Sequence, residues 1–191
     1  MSSDPADLVA EGNRALANGD WPAARDAFKA ALEDGETAEA LAGCGYALWW
    51  LGDAGAAVDH LERAYAAFRR QQDPASAAAT AVRLGVHYWA SLGNLAASSG
   101  WVGRAARLVE DYGLEPLRGW VLLLEAYGER DSKHAETLAR QAQELAREWG
   151  DLDLELCALS QIGAAVIDQG RISEGVRYLD EAMAGSLSGE G

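Results

Sequence analysis

Residues 12–31 read GNRALANGDWPAARDAFKAA, and the spacing of small and large residues in this stretch decides the fold. The same spacing returns in residues 45–64, GYALWWLGDAGAAVDHLERA, and in residues 163–182, GAAVIDQGRISEGVRYLDEA. Each stretch opens on a glycine, which is followed at fixed distances by a second glycine, a small residue, Phe or Leu, and Ala. Three copies of one internal spacing indicate a repeat protein.

The spacing predicts a helical hairpin of about 33 residues. In the first copy Gly19 ends one helix as a C-cap, and the next helix begins directly after Asp20. Ala24 is small enough to let the two helices approach closely, while Phe28 and Ala31 lie on the same face of the second helix. A hairpin of this kind buries its apolar faces by stacking on the next hairpin, as in a solenoid.

Two looser copies of the pattern lie between the second copy and the last. In one of them Gly85 opens the pattern and Gly93 supplies the turn, and in the other Gly128 marks the break between the helices. Gly100 and Gly103 fall inside the second helix of the former copy. We therefore expect this helix to be less regular than its neighbours.

The chain as a whole is predicted to form about ten helices in about five hairpins. The first helices of the hairpins are predicted at residues 5–18, 37–51, 74–92, 114–128 and 152–169. The second helices are predicted at residues 21–33, 54–71, 94–111, 132–149 and 172–184. The expected fold class is an all-α, right-handed α-solenoid with a concave and a convex side. We expect a single domain over residues 5–184, with flexible ends at residues 1–4 and 185–191.

The repeated series of glycines, alanines and Phe or Leu resembles the tetratricopeptide repeat (TPR) over nearly the whole chain. Residues 47–53, ALWWLGD, and residues 170–175, GRISEG, are more narrowly similar to the repeat region of bacterial LuxR-type transcriptional regulators. The chain lacks the basic helix-turn-helix of those regulators, and also the Gly-rich phosphate loop that many large members carry. The resemblance implies a repeat scaffold in bacterial regulation, without the DNA-binding domain.

The resemblance also implies where a partner binds, because the first helices of TPR hairpins line the concave groove. Carried over to this chain, the groove positions include Asn13, Tyr46, Trp49, Trp50, Val86 and Trp89. The four aromatic members can build a wall for an apolar peptide or a flat ligand. The alternative is that these aromatic side chains fill gaps that their alanine-rich neighbours leave in the core. Both interpretations stay open at this point.

The last predicted helix carries apolar residues with no polar capping helix after it. Ile172, Val176 and Met183 mark this edge, whereas the terminal repeats of solenoids normally present a polar outer face. The edge therefore favours either further repeats or a partner. A homodimer through the uncapped C-terminal hairpin is one form that this contact can take.

The charge and the apolar pattern exclude several classes of partner. The chain has 16 Lys and Arg against 30 Asp and Glu, a formal net charge of −14, so it repels nucleic acid and anionic membranes. No apolar stretch reaches the roughly 18 residues of a transmembrane helix. The first residues lack the pattern of a signal peptide, so the expected location is cytoplasmic.

No pattern in the sequence indicates a catalytic site, a metal site or a cofactor. His60, His87 and His134 are too dispersed to form a ligand set. The acidic clusters fall at predicted helix ends, where carboxylates cap helices. The leading hypothesis is thus a non-catalytic scaffold that binds a protein or peptide partner. The alternatives are a small-molecule-sensing repeat domain of a LuxR-type regulator and a self-associating assembly module.

Overall fold

The structure, a computed structural model that describes residues 4–188, confirms the predicted all-α class and the TPR-like solenoid architecture. Ten α-helices and no strands occur within the described residues. The helices are α1 (Pro5–Ala17), α2 (Trp21–Glu33), α3 (Ala38–Trp50), α4 (Ala54–Gln71), α5 (Pro74–Ala90), α6 (Leu95–Tyr112), α7 (Glu115–Gly128), α8 (Ser132–Trp149), α9 (Leu152–Asp168) and α10 (Ile172–Leu187). They agree with the predicted helices to within two residues at each end, except that α10 continues through Leu187 instead of ending at 184.

Aspartates begin most of these helices because their carboxylates accept hydrogen bonds from otherwise unpaired backbone N–H groups. Asp20 Oδ1 accepts from the N–H of Ala23, and Asp53 Oδ1 accepts from that of Ala56, both at 3.1 Å. The preceding turns need a left-handed backbone, which Gly52 supplies with a φ of 83°. The glycine–aspartate pairs of the repeat are therefore the stop and start signals of consecutive helices.

The small residues of the repeat lie where two helices touch. A Cβ atom added at Gly45 on α3 would lie 2.8 Å from Cγ of Leu61 and 3.0 Å from the carbonyl oxygen of Ala57 on α4. At Gly163 on α9, an added Cβ would lie 2.9 Å from the carbonyl oxygen of Gly175 on α10. The spacing that recurs within the chain therefore reflects close helix–helix contacts as well as the turns between helices.

The chain divides into two compact units, with the boundary between Trp101 and Val102 inside α6. In the first unit the core begins around Phe28, which is fully buried, and continues to Leu61 and Leu84. In this unit α1 packs on α2, α2 on α3, α3 on α4 and α4 on α5. The first helices of its first two hairpins, α1 and α3, also touch each other.

The second unit repeats this arrangement around its own core. Leu123 and Leu154 are buried in one cluster, and Ile162 and Val166 in the next. Helix α7 packs on α8, α8 on α9, and α9 on α10, while the first helices α7 and α9 touch each other. The prediction of a single domain over residues 5–184 stays a prediction.

Two further predictions concern the regularity of α6 and the flexibility of the chain ends. The expected irregularity of α6 is wrong, because α6 is a continuous helix of 18 residues despite Gly100 and Gly103. At its start the Ser98 hydroxyl donates to the carbonyl oxygen of Gly85 at 2.9 Å, which fixes α6 on α5. The flexible ends fall mainly on residues 1–3 and 189–191, which lie outside the described residues, so their flexibility stays a prediction.

Two further observations describe helices and side-chain groups within residues 4–188. None of the helices there combines the length and the apolar character that crossing a lipid bilayer requires. The same residues contain no group of three or more His, Cys, Asp or Glu side chains that could hold a metal ion.

Candidate binding surface

Five rings in the first unit form one connected group, which we call the aromatic cluster. Its members are Trp21, Tyr46, Trp49, Trp50 and His87. Trp21 opens α2 directly after the first turn, and Tyr46, Trp49 and Trp50 occupy the last turns of α3. The cluster therefore lies where the turns of neighbouring hairpins come together.

Trp21 and Trp50 of the cluster stack with nearly parallel, offset rings. The Trp21 and Trp50 centroids are 4.9 Å apart and their planes differ by 10°. Tyr46 meets both indoles edge-on, with centroid distances of 6.3 Å and interplanar angles of 89°. These are the two favourable geometries for aromatic pairs, because each places a positive ring edge near a negative ring face.

Trp49 joins the cluster to α5. Its ring lies 4.7 Å from the imidazole of His87, and its Nε1 donates a hydrogen bond to the Ser91 hydroxyl at 3.1 Å. Trp49 is only partly exposed, so much of its surface is used in packing α3 against α5. Trp50 differs, since 48% of its side chain reaches solvent. The aromatic cluster thus contains both a packing member and an open one.

His87 is a buried polar residue within this apolar group. It is 2% exposed, and neither ring nitrogen has a hydrogen-bond partner within the described residues. Burial, and to a lesser extent the positive charge of Arg83 one turn earlier, together lower the pKa of His87 to about 4. The imidazole is therefore neutral at pH 7.

Arg83 packs against the Tyr46 ring of the aromatic cluster. Its guanidinium carbon lies 4.5 Å from the centroid of the Tyr46 ring, a cation–π geometry. Part of the side chain reaches solvent, yet the protein packed around the guanidinium lowers the pKa of Arg83, an effect that Tyr46 opposes. An arginine remains charged under these conditions. The cluster is thus an apolar surface with a fixed positive charge at one side.

The sequence analysis found some of these residues and missed others. The rings of Tyr46, Trp49 and Trp50 are in contact with one another, and their role in binding stays a prediction, whereas Trp21 and Arg83 were not among the predicted residues. Arg83 could have been found, because it lies four residues before His87 and so on the same face of the helix. Trp21 could have been found from the turn, which brings the start of α2 beside the end of the next first helix.

The remaining predicted groove residues are Asn13 on α1 and Val86 and Trp89 on α5. Asn13 is exposed on α1, and no hydrogen bond or ring contact joins it to the aromatic cluster in the described part of the chain. Val86 and Trp89 on α5 are half-buried. Their role in binding stays a prediction.

The predicted C-terminal edge lies on α10 in the second unit. Ile172 and Met183 are 62% and 61% exposed, and Val176 is also exposed. Leu187, which lies beyond the predicted end of the helix, extends this apolar face. The opposite side of α10 packs on α9, where a Cβ added at Gly175 would lie 2.5 Å from Cγ1 of Ile167. An interface on the exposed face stays a prediction.

Comparison with solved structures places this architecture among known folds. A Rap protein complexed with competence and sporulation factor matches with a TM-score of 0.76 at 12% identity, over 94% of this chain and 53% of that one. BtubC (BKLC) from P. vanneervenii matches with a TM-score of 0.68 at 14% identity, over 94% and 78%. The nearly identical TPR-like repeats of a kinesin light chain from Podosopora anserina match with a TM-score of 0.64 at 13% identity, over 98% of both chains. The fold is TPR-like.

These likenesses rest on structure and not on sequence. No protein-family model matches the sequence, and no curated protein sequence matches it either. This TPR-like chain spans about half the length of the Rap protein, 53% of it. The comparisons therefore support the TPR-like fold, and the narrower similarity to LuxR-type regulators is not shown by them.

Proposed function

We propose that this protein is a non-catalytic TPR-like scaffold that binds a protein or peptide partner on the aromatic cluster. The single observation that carries the proposal is Trp50, which leaves 48% of its side chain in solvent while Trp21 and Tyr46 hold its ring in place. A preorganised aromatic ring loses little conformational entropy on binding, which is why Trp is enriched at binding hot spots.

The size of the expected contribution follows from the exposed area. A tryptophan side chain buries roughly 150–250 Å² when fully enclosed, so about 100 Å² of Trp50 remains for a partner to cover. At about 25 cal/mol per Å², that area stabilises a complex by roughly 2–3 kcal/mol. This contribution is large enough for one residue to decide whether a weak partner is retained.

The fold and the charge agree with such a role. One similar structure, the Rap protein, was solved in complex with competence and sporulation factor, so a TPR-like fold can hold a second molecule. The formal net charge of −14 disfavours nucleic acid as the partner. We place the protein in bacterial regulation, in the cytoplasm, on the resemblance of its repeats to those of LuxR-type regulators.

A pair of tryptophan variants tests the proposal. Trp50→Ala and Trp149→Ala each remove an indole that is about half exposed, at 48% and 50%, but only the first belongs to the aromatic cluster. Partners cross-linked to each variant in extracts of the source cells are quantified by mass spectrometry, with helicity checked by circular dichroism. We expect Trp50→Ala to lose partners that Trp149→Ala retains. An identical set of partners for both variants contradicts the proposal.

A second candidate function is the sensing of a small molecule, as in the repeat domain of a LuxR-type regulator. The observation that favours it is His87, whose two ring nitrogens are buried beside Trp49 without a partner in the described residues. Native mass spectrometry of the purified protein tests this function. A bound small molecule that is lost in His87→Leu supports sensing, and a bare chain mass argues against it.

A third candidate function is self-association through α10. The exposed apolar residues Ile172, Val176 and Met183 favour it, because they cover one face of a terminal helix. The test is the oligomeric state of the wild-type chain and of a variant with glutamates on this face.

A further inference from the structure

A groove in the second unit lies outside the aromatic cluster and outside the α10 face. It runs between α6 and α7 and encloses about 370 Å³. Its floor is apolar: Val109 on α6 and Val121 on α7 are buried at its base, and Leu122 on α7 is half-buried. We call it the α6–α7 groove.

The dimensions of the groove fit an extended chain. Its lining residues on α7 run from Glu115 to Glu125. Ten residues of α-helix rise about 15 Å, which is the length of four to five residues of extended polypeptide. The groove is therefore long enough for a short segment and too small for a second folded domain.

Carboxylates lie along this groove, and they differ in whether a cation already neutralises them. Near the α6–α7 loop, Glu115 pairs with Arg118 at 3.6 Å. Within residues 4–188, neither Glu110 nor Glu125 forms an ion pair or a side-chain hydrogen bond. Two of the three acidic side chains thus have no cation of their own.

Glu125, at the far end, is one of the two carboxylates of the groove without an ion-pair partner within the described residues. Burial raises the pKa of Glu125, and the nearby His134 opposes this effect. His134 is itself engaged with Glu129, since its Nδ1 lies 3.0 Å from Oε2 of that residue. The Glu125 side chain is exposed, and a carboxylate beside an apolar surface with no cation of its own is stabilised when a cation arrives.

The chemistry of the groove also selects the kind of cation. The described residues contain no group of carboxylates arranged to hold a metal ion. An apolar floor beside separated carboxylates instead suits a cation on an aliphatic stem, because Lys and Arg side chains lay their methylene groups on apolar surface and keep the charged head at a carboxylate.

We propose that the α6–α7 groove binds an extended segment of a partner protein, with a Lys or Arg side chain at Glu125 and an apolar residue on Leu122, above the buried Val109 and Val121. This is a second binding site on the scaffold, and it does not depend on binding at the aromatic cluster. The charge of the whole chain, −14, assists the approach of a basic segment at low ionic strength.

The experiment uses the full chain with isotope-labelled Val and Leu methyl groups. The probes are the acetylated tetrapeptide amide Leu-Leu-Arg-Gly and its counterpart with Gln in place of Arg. The methyl signals of Val109, Val121 and Leu122 report directly on occupation of the groove. We expect the Arg peptide to shift these signals with a Kd about tenfold lower than that of the Gln peptide, as a charge-assisted hydrogen bond provides.

Two variants that change the net charge equally distinguish binding in the groove from general electrostatic attraction. Glu125→Gln removes the proposed counter-charge, and Glu144→Gln removes an exposed carboxylate on α8 that does not line the groove. We expect Glu125→Gln to abolish the difference between the two peptides and Glu144→Gln to preserve it. Loss of the difference in both variants would show that net charge alone acts, which overturns the proposal.

Three further outcomes also overturn it. The first is equal affinity of the Arg and Gln peptides for the wild-type chain. The second is the absence of methyl shifts at peptide concentrations of about 5 mM, where even weak complexes form. The third is full competition by spermidine with the same dependence on Glu125, which would make a free polyamine the occupant. Each of these results leaves binding at the aromatic cluster unaffected, so the two proposals fail separately.

Discussion

The indole of Trp21 lies flat against that of Trp50, with 4.9 Å between the ring centroids. The two residues belong to different hairpins, since one opens α2 and the other closes α3. The stack therefore joins the first hairpin to the second at their turns and at the same time fixes the ring that is open to solvent. Under the proposed function, the contact that stabilises the two hairpins also positions the ring that binds the partner.

The interaction energy between Trp21 and Trp50 can be measured with a double-mutant cycle. Trp21→Ala and Trp50→Ala, alone and together, are compared by urea unfolding monitored by circular dichroism. We expect a coupling energy of about 0.5–1.5 kcal/mol, the contribution of a stacked aromatic pair beyond its buried area. Trp21→Ala paired with Trp149→Ala serves as the control, because these residues belong to different units, and their effects should simply add.

Glycines within the helices are expected to fall into two classes when replaced by alanine. A Cβ at Gly43 on α3 would overlap the buried ring of Phe28, whereas a Cβ at Gly55 on α4 would meet nothing within 4 Å. Gly43→Ala should therefore lower the free energy of unfolding by about 1–3 kcal/mol. Gly55→Ala should raise it by roughly 0.5 kcal/mol, because alanine is the better helix former. Equal effects in chemical denaturation would contradict the packing described for Phe28.

The helices were predictable because their signals are local. Gly52 and Asp53 end one helix and begin the next through their own backbone and side-chain chemistry, which needs no knowledge of the rest of the chain. The close approach of Gly45 to Leu61 was also predictable, because it repeats at fixed spacing in three copies.

The aromatic cluster was predictable only in part, because it depends on contacts between hairpins. The spacing along α3 shows that Tyr46 and Trp50 share a face, but it does not say that Trp21 covers Trp50 or that Arg83 covers Tyr46. Likewise, nothing in the order of residues distinguishes Trp49, which packs on His87, from its exposed neighbour. The α6–α7 groove left no sequence signal either, since glutamates are common throughout this acidic chain.

His87 predicts a loss of stability at mildly acidic pH. Its pKa in the folded chain is about 4, below the ordinary 6.5 that it regains on unfolding. Between these values the unfolded chain binds a proton that the folded chain does not, so stability falls as the pH falls. From pH 7.5 to pH 5 the loss attributable to His87 should be about 2 kcal/mol.

The measurement is urea unfolding of the wild type and of His87→Leu at both pH values. Leucine cannot titrate, so this variant should lose about 2 kcal/mol less than the wild type over the same interval. An identical pH dependence in the wild type and His87→Leu would show that His87 is hydrated or paired in solution.

Glu136 is expected to hold the last hairpin in place. Its carboxylate accepts hydrogen bonds from Nε of Arg140 at 2.9 Å and from Nε2 of Gln169 at 2.9 Å, and it pairs with Arg171. Glu136→Gln should therefore lower the free energy of unfolding by about 1–2 kcal/mol, with the loss reduced in high salt. Glu144→Gln removes the same charge from an exposed site on the same helix and should have little effect in the same urea titration.

The exposed face of α10 leads to a prediction about assembly. Val176→Glu together with Met183→Glu places two charges on a face where both residues are exposed, so the hairpin itself should stay folded. If the chain self-associates through α10, the double variant should be monomeric in light scattering at concentrations where the wild type is a dimer, because buried unpaired carboxylates oppose the interface. The control is the double variant Arg177→Ala and Asp180→Ala, which changes two residues of the same helix but keeps Val176 and Met183. A wild type that is monomeric at all concentrations, or a dimer unchanged by the two glutamates, would exclude α10 as the interface.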